Sequence, residues 1–108
     1  MNVQSMPVEL QATGVRFFSQ NDEEAFFNWL KGLPFVEHFE GRGRTLYIKV
    51  NSLAVEEDGL RELLALFHRY KVELAQLAVF DRDEFADWFR NADAYWFKDV
   101  FGKTAAGH

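Results

Sequence analysis

The chain has 108 residues, 48% of them hydrophobic and 17% aromatic, with no cysteine and a formal charge of −5 from 12 basic and 17 acidic side chains. A chain of this length reads as one domain, burying roughly two-thirds of its unfolded surface without cross-links. The missing cysteine excludes a disulfide framework, a zinc–thiolate site and a cysteine nucleophile, and the acidic balance argues against nucleic acid, whose binding wants a basic face.

No window approaches the ~18 apolar residues of a membrane span. The start, MNVQSMPVELQ, lacks the charged and apolar regions of a signal peptide. The expected address is the cytoplasm, with no membrane partner. The whole of 1–108 reads as a single α+β domain with flexible ends at 1–7 and 103–108.

Val8, Leu10 and Ala12, then Val15 and Phe17, alternate with polar neighbours and change phase at Gly14. That predicts a strand bent or bulged at Gly14, or two short strands. Asn21 with Glu24 signals a helix start, and Asp22 and Glu23 suit the positive end of its dipole. The helix runs to about Lys31, with Phe26, Leu30 and Leu33 inward and Trp29 beside them; Gly32 and Pro34 stop it. Trp29 and Trp88 are both expected to be buried.

Phe35 to Glu40 and Thr45 to Val50 read as two strands around Gly41-Arg42-Gly43-Arg44. Leu46, Ile48 and Val50 form the apolar face, and Thr45, Tyr47 and Lys49 the wetter one. A second helix spans about Glu56 to Tyr70, with Leu60, Leu63, Leu64 and Phe67 inward. Its start is acidic (Glu56, Glu57, Asp58) and its end basic (His68, Arg69, Lys71), which matches the macrodipole. Leu74 to Phe80 is compatible with a short buried strand or a helical turn. The strand alternative completes the order β-α-β-β-α-β, the split βαβ pattern of ferredoxin-like folds. The predicted fold class is α+β: a small antiparallel or mixed sheet with aromatic-rich C-terminal helices packed on it.

Those helices lie in Asp81 to Gly102, which holds Phe85, Trp88, Phe89, Tyr95, Trp96, Phe97 and Phe101. A buried ring removes roughly 150–250 Å² from water, so the upstream elements or a partner must cover them. Asp81 with Glu84 signals a helix start, and Phe85, Trp88 and Phe89 share its face. Asn91 suits a left-handed end, and Asp93 a new cap. Phe97, Val100 and Phe101 then share a face before Gly102 marks the stop. One continuous helix also fits the stripe 85, 89, 92, 96 and 100; two are preferred because Asn91 and Asp93 are poor interior residues. Tyr95 and Trp96 are adjacent, so at least one ring is expected at the surface.

From Arg69 to Gly102 the segments RYKVELAQL, DWF and AYWFKDVFG are similar to the end of a family of small bacterial proteins of unknown function with an AYWF-x-x-VFG C-terminus. The resemblance implies a bacterial source and carries no activity or site residue with it.

Catalytic and metal signatures are sparse. His38, His68 and His108 are far apart, without metal-ligand spacing, and no G-x-S-x-G, P-loop or G-x-G-x-x-G pattern occurs. Asp81, Asp83 and Asp87 faintly suggest a calcium loop, but Ala86 and Ala92 replace its glycine and glutamate. Leu46–Leu53 followed by Glu56–Leu63 is similar to the opening of an RNA recognition motif. Arg44 and Leu46, however, stand where that motif requires base-stacking rings. The expectation is a chain that is not an enzyme and takes no cofactor or metal.

Two functional readings remain. In the first, the chain is a protein-binding module for a basic partner, a profile shared by bacterial immunity proteins and inhibitors of basic toxins. Glu56, Glu57, Asp58, Asp81, Asp83 and Glu84 would steer, and Tyr95 or Trp96 would anchor. In the alternative, a small ligand enters a pocket walled by Tyr47, Trp88 and Trp96, with Arg44 or Lys49 meeting an anionic group. The plainest reading is a structural domain whose rings are all core and whose acids only confer solubility.

Overall fold

Three segments form one antiparallel sheet; apolar residues alternate along two of them, and in the third Val36 and Phe39 are three apart, with a register shift between Val36 and His38. The computed structural model describes residues 6–106. Over these, β1 (Pro7–Thr13), β2 (Val36–Arg42) and β3 (Thr45–Asn51) lie in the order β1-β3-β2. β3 aligns Ile48 with Leu10 on one side and with Phe39 on the other. Leu10, Ala12, Ile48 and Val50 are buried on one face, while Glu9, Gln11 and Lys49 stay exposed on the other. Past β1 the chain turns at Gly14, and Val15 and Phe17 pack on the core as coil rather than as a second strand. β2 and β3 are joined by Gly43-Arg44. Of these two residues only Gly43 has a positive φ, +61°, the pattern of a two-residue type II′ turn.

α1 (Gln20–Lys31) begins before the Asn21 signal because Ser19 caps it. The Ser19 hydroxyl accepts the Asp22 N–H at 3.1 Å, and the Asp22 carboxylate accepts the Phe18 N–H at 3.0 Å. α2 (Glu57–Arg69) is the most buried element. Leu60, Leu63, Leu64, Leu66 and Phe67 are all 0% exposed, an arc of about 160° at 3.6 residues per turn. Gly59 on this helix permits a close approach, since a Cβ there would sit 2.6 Å from the Phe35 ring.

α2 ends in a Schellman motif. The Val72 N–H donates to the Phe67 carbonyl at 2.9 Å and the Lys71 N–H to that of His68 at 3.4 Å. Lys71 occupies the left-handed position with φ +59°, where glycine is usual and a side chain costs about 1–2 kcal/mol.

Leu74–Phe80 is a 3-10 helix, not the fourth strand of a ferredoxin-like order. Leu74, Leu77 and Phe80 are its buried residues, and their spacing of three is the period of a 3-10 helix, not of a strand. The segment still meets the sheet edge that a fourth strand would take. The Gln76 side-chain amide accepts the Gln11 N–H and donates to the Gln11 carbonyl, both at 2.8 Å. One side chain thus stands in for a ladder pair and blunts the edge of β1.

The aromatic stretch forms a short turn at Asp83–Phe85, then α3 (Ala86–Phe89) and α4 (Phe97–Ala106). Two helices are therefore present, but the punctuation differs from expectation. Asn91 does not adopt a positive φ; its side chain accepts the Asp93 N–H at 2.9 Å. Asp93 lies too early to cap α4, and α4 continues through Gly102. The aromatic helices reach the core mainly through Leu74–Phe80, against which α4 packs. Of the ends expected to be flexible, residues 1–5, 107 and 108 lie outside the described residues, while Pro7 opens β1 and 103–106 continue α4.

Gly59→Ala should lower the urea midpoint. A methyl group driven into the buried Phe35 ring costs about 1–3 kcal/mol, against a helix-propensity gain of about 1 kcal/mol. A raised midpoint would show that Phe35 can move aside freely.

Candidate functional site

Three arginines cover rings of the C-terminal third, and an acidic residue holds each of them. Arg61 Cζ lies 4.2 Å from the Trp88 ring centroid, while its Nε and Nη2 both approach the Glu57 carboxylate at 3.0 Å. Arg82 lies 4.6 Å from the Phe85 centroid and pairs with Glu84 at 3.2 Å. It also donates to the carbonyls of Ser52 (2.9 Å) and Val55 (2.7 Å). Arg90 lies 5.0 Å from the Phe101 centroid and grips both carboxylate oxygens of Asp81. The hydrogen bond to Asp81, and then its charge, raise the Arg90 pKa.

This arrangement divides the six acids expected to steer a partner. Glu57, Asp81 and Glu84 hold arginines over rings. Asp81 therefore does not act as the cap expected of it. Glu56, Asp58 and Asp83 are exposed, with no cation partner among the described residues. Arg82 still brings the two acidic segments together, because its bonds to Ser52 and Val55 set Asp83 and Glu84 beside the start of α2.

The adjacent aromatics also separate. Tyr95 is 51% exposed, and its ring lies 4.7 Å from that of His68 on α2. Trp96 is buried at 7% exposure, and its indole N–H donates to the Phe89 carbonyl at 2.8 Å. Of the two expected anchors, only Tyr95 is available to a partner. Burial first, and Glu62 as well, raise the Tyr95 pKa, opposed by Arg61. The phenol stays neutral and able to donate at physiological pH.

Trp29 and Trp88 are half-buried rather than buried. The Trp29 indole donates to Glu62 at 2.9 Å, and Trp88 lies beneath Arg61. The outer side of α2 thus presents Arg61, Glu62 and His68, each touching one part-exposed aromatic residue.

The expected ligand pocket is not assembled. Tyr47 and Lys49 alternate with buried Ile48 and Val50 and point to the outer face of the sheet, where Arg42 lies 4.2 Å from the Tyr47 ring centroid. Arg44 sits in the hairpin turn. Trp88 and Trp96 pack edge-to-face at 5.8 Å within the helical layer on the other side. A different cleft, of about 460 Å³, lies between the coil before α1 and the end of α2, lined in part by Arg16, Phe18, Arg69 and Lys71. None of these residues belongs to a recognisable motif. Among the described residues no group of three or more His, Asp or Glu is placed to hold a metal, and no helix is long and apolar enough to cross a membrane.

Arg82→Met keeps much of the apolar stem but removes the charged donors to Ser52 and Val55. It should lower unfolding free energy in urea by about 1.5–3 kcal/mol, the range for hydrogen bonds to charged groups. No loss would mean that the start of α2 is held without Arg82.

Comparison with family models, with curated proteins and with solved structures found no match to this chain.

Proposed function

We propose that the chain is a non-catalytic protein-binding module that meets a basic partner over the outer side of α2, with an immunity- or inhibitor-like role as its specific form. The observation that carries this reading is the placement of Trp29, Trp88 and Tyr95. All three remain part-exposed around one helix, each against one of its polar side chains, Glu62, Arg61 and His68 respectively. Aromatic residues anchored in this way, with a charged rim, are the usual carriers of interface energy. The rim is supplied by Glu56, Asp58 and Asp83, which do not hold an arginine. Leu53, 45% exposed beside the same helix start, adds apolar area.

The test uses immobilised wild type and Tyr95→Ser as paired baits in lysate, followed by association and dissociation rates for any protein retained by the wild type alone. Tyr95→Ser should raise the dissociation rate, because buried anchors set residence time. Replacing Glu56, Asp58 and Asp83 by their amides should slow association at low salt and matter less as screening rises. Equal retention by both baits, or an unchanged association rate at low salt, would remove this face from consideration.

A further inference from the structure

The cleft at the basic end of α2 is unlike the rest of this acidic chain. Arg16, Arg69 and Lys71, from the coil before α1, the last turn of α2 and the residue after its cap, all line one space of about 460 Å³. None of the three forms an ion pair among the described residues. Among the described residues the one carboxylate in the wall is Asp22, and it already accepts the Phe18 N–H. With three cations and one carboxylate lining it, the cleft carries a net positive charge that a bound anion would offset.

The buried side of the cleft is held in place by Tyr70. The Tyr70 hydroxyl donates to the Asp22 carbonyl at 3.4 Å, and the Tyr70 ring packs 4.9 Å from Phe26 and 6.0 Å from Phe17. Phe18 lines the same cleft and is 86% exposed, the most exposed large hydrophobic residue among the described residues. A ring left in water beside three cations offers a stacking face for a flat group attached to the anion.

The backbone provides a separate indication. Lys71 is the one non-glycine residue at positive φ among the described residues. It occupies the position in the cap of α2 that glycine fills with least strain. Keeping a lysine there supplies the cleft with a cation at the expense of the fold, and strain of this kind clusters at functional sites.

From this geometry we infer that the cleft binds a small phosphomonoester carrying a flat ring. Two guanidinium groups and an ammonium match a phosphate dianion, the arginines through their planar forks, and the ring lies against Phe18. The site is at the other end of α2 from the acidic rim and does not depend on the partner-binding reading.

The experiment is calorimetric titration of the full chain at low ionic strength with phenyl phosphate, adenosine monophosphate and inorganic phosphate, with backbone amide shifts mapped by NMR. The inference expects saturable binding of at least one ring-bearing phosphate, with shifts centred on Arg16, Phe18 and Tyr70. Phenyl phosphate alone would indicate a simple aryl phosphate, and the nucleotide alone a nucleoside phosphate. Lys71→Gly should raise the thermal midpoint while weakening binding about tenfold, the factor lost with ~1.4 kcal/mol of contact energy. Phe18→Ala should weaken ring-bearing ligands and leave inorganic phosphate unchanged. The inference is overturned if no probe saturates, if inorganic phosphate binds as tightly as the others, or if Lys71→Gly stabilises the fold without weakening binding.

Discussion

Burial of α2 from two directions is the constraint on which the other elements depend. With five side chains at 0% exposure, the helix needs cover from more than one neighbour, and α1 packs against one part of it. The segment Leu74–Phe80 packs against another part of it and is itself backed by α4, with Leu74, Leu77, Phe80, Val100 and Phe101 all buried in the same core. Five fully buried leucine and phenylalanine side chains contribute roughly 1.5–3 kcal/mol each, far more than any surface ion pair. The C-terminal aromatic stretch is therefore part of the core and not an appendage.

Charge on this molecule is arranged along the same helix. The acidic start, with Arg82 joining it to Asp83 and Glu84, sits at one end; Arg69 and Lys71 sit at the other, matching the macrodipole. Arg61, Arg82 and Arg90 each sit over a ring and each pair with a carboxylate, a cation–π arrangement that also covers apolar area with the side-chain stem. Acidic residues here thus fall into two groups. Glu57, Asp81 and Glu84 each pair with an arginine over a ring, whereas Glu56, Asp58 and Asp83 have no cation partner among the described residues.

Much of this architecture is legible in the sequence where a period is long enough to be unambiguous. The faces of β3 and α2 follow directly from Leu46, Ile48 and Val50 and from Leu60, Leu63, Leu64 and Phe67. Leu74 to Phe80 is less clear, because leucine, alanine and valine suit several conformations in a seven-residue run. The deciding signal is the spacing of three from Leu74 to Leu77 to Phe80, where alternation would have buried Gln76 instead. Long-range pairing hides the rest. Nothing local distinguishes Asp81, which holds Arg90 nine residues away, from a helix cap, and nothing local says that Trp96 turns inward while Tyr95 turns out. The basic cleft is the hardest to foresee, since Arg16 and Lys71 become neighbours only when Tyr70 docks on Phe17 and Phe26.

Native-state hydrogen exchange tests the central claim most directly, because it compares the opening energies of α2 and α4 within the intact protein. If the C-terminal helices complete the burial of α2, the amides of Leu63 to Phe67 and those of Val100 and Phe101 should exchange with one free energy and one denaturant dependence, that of global unfolding. Exchange of Val100 and Phe101 through a cheaper opening, with α2 still fully protected, would contradict the account.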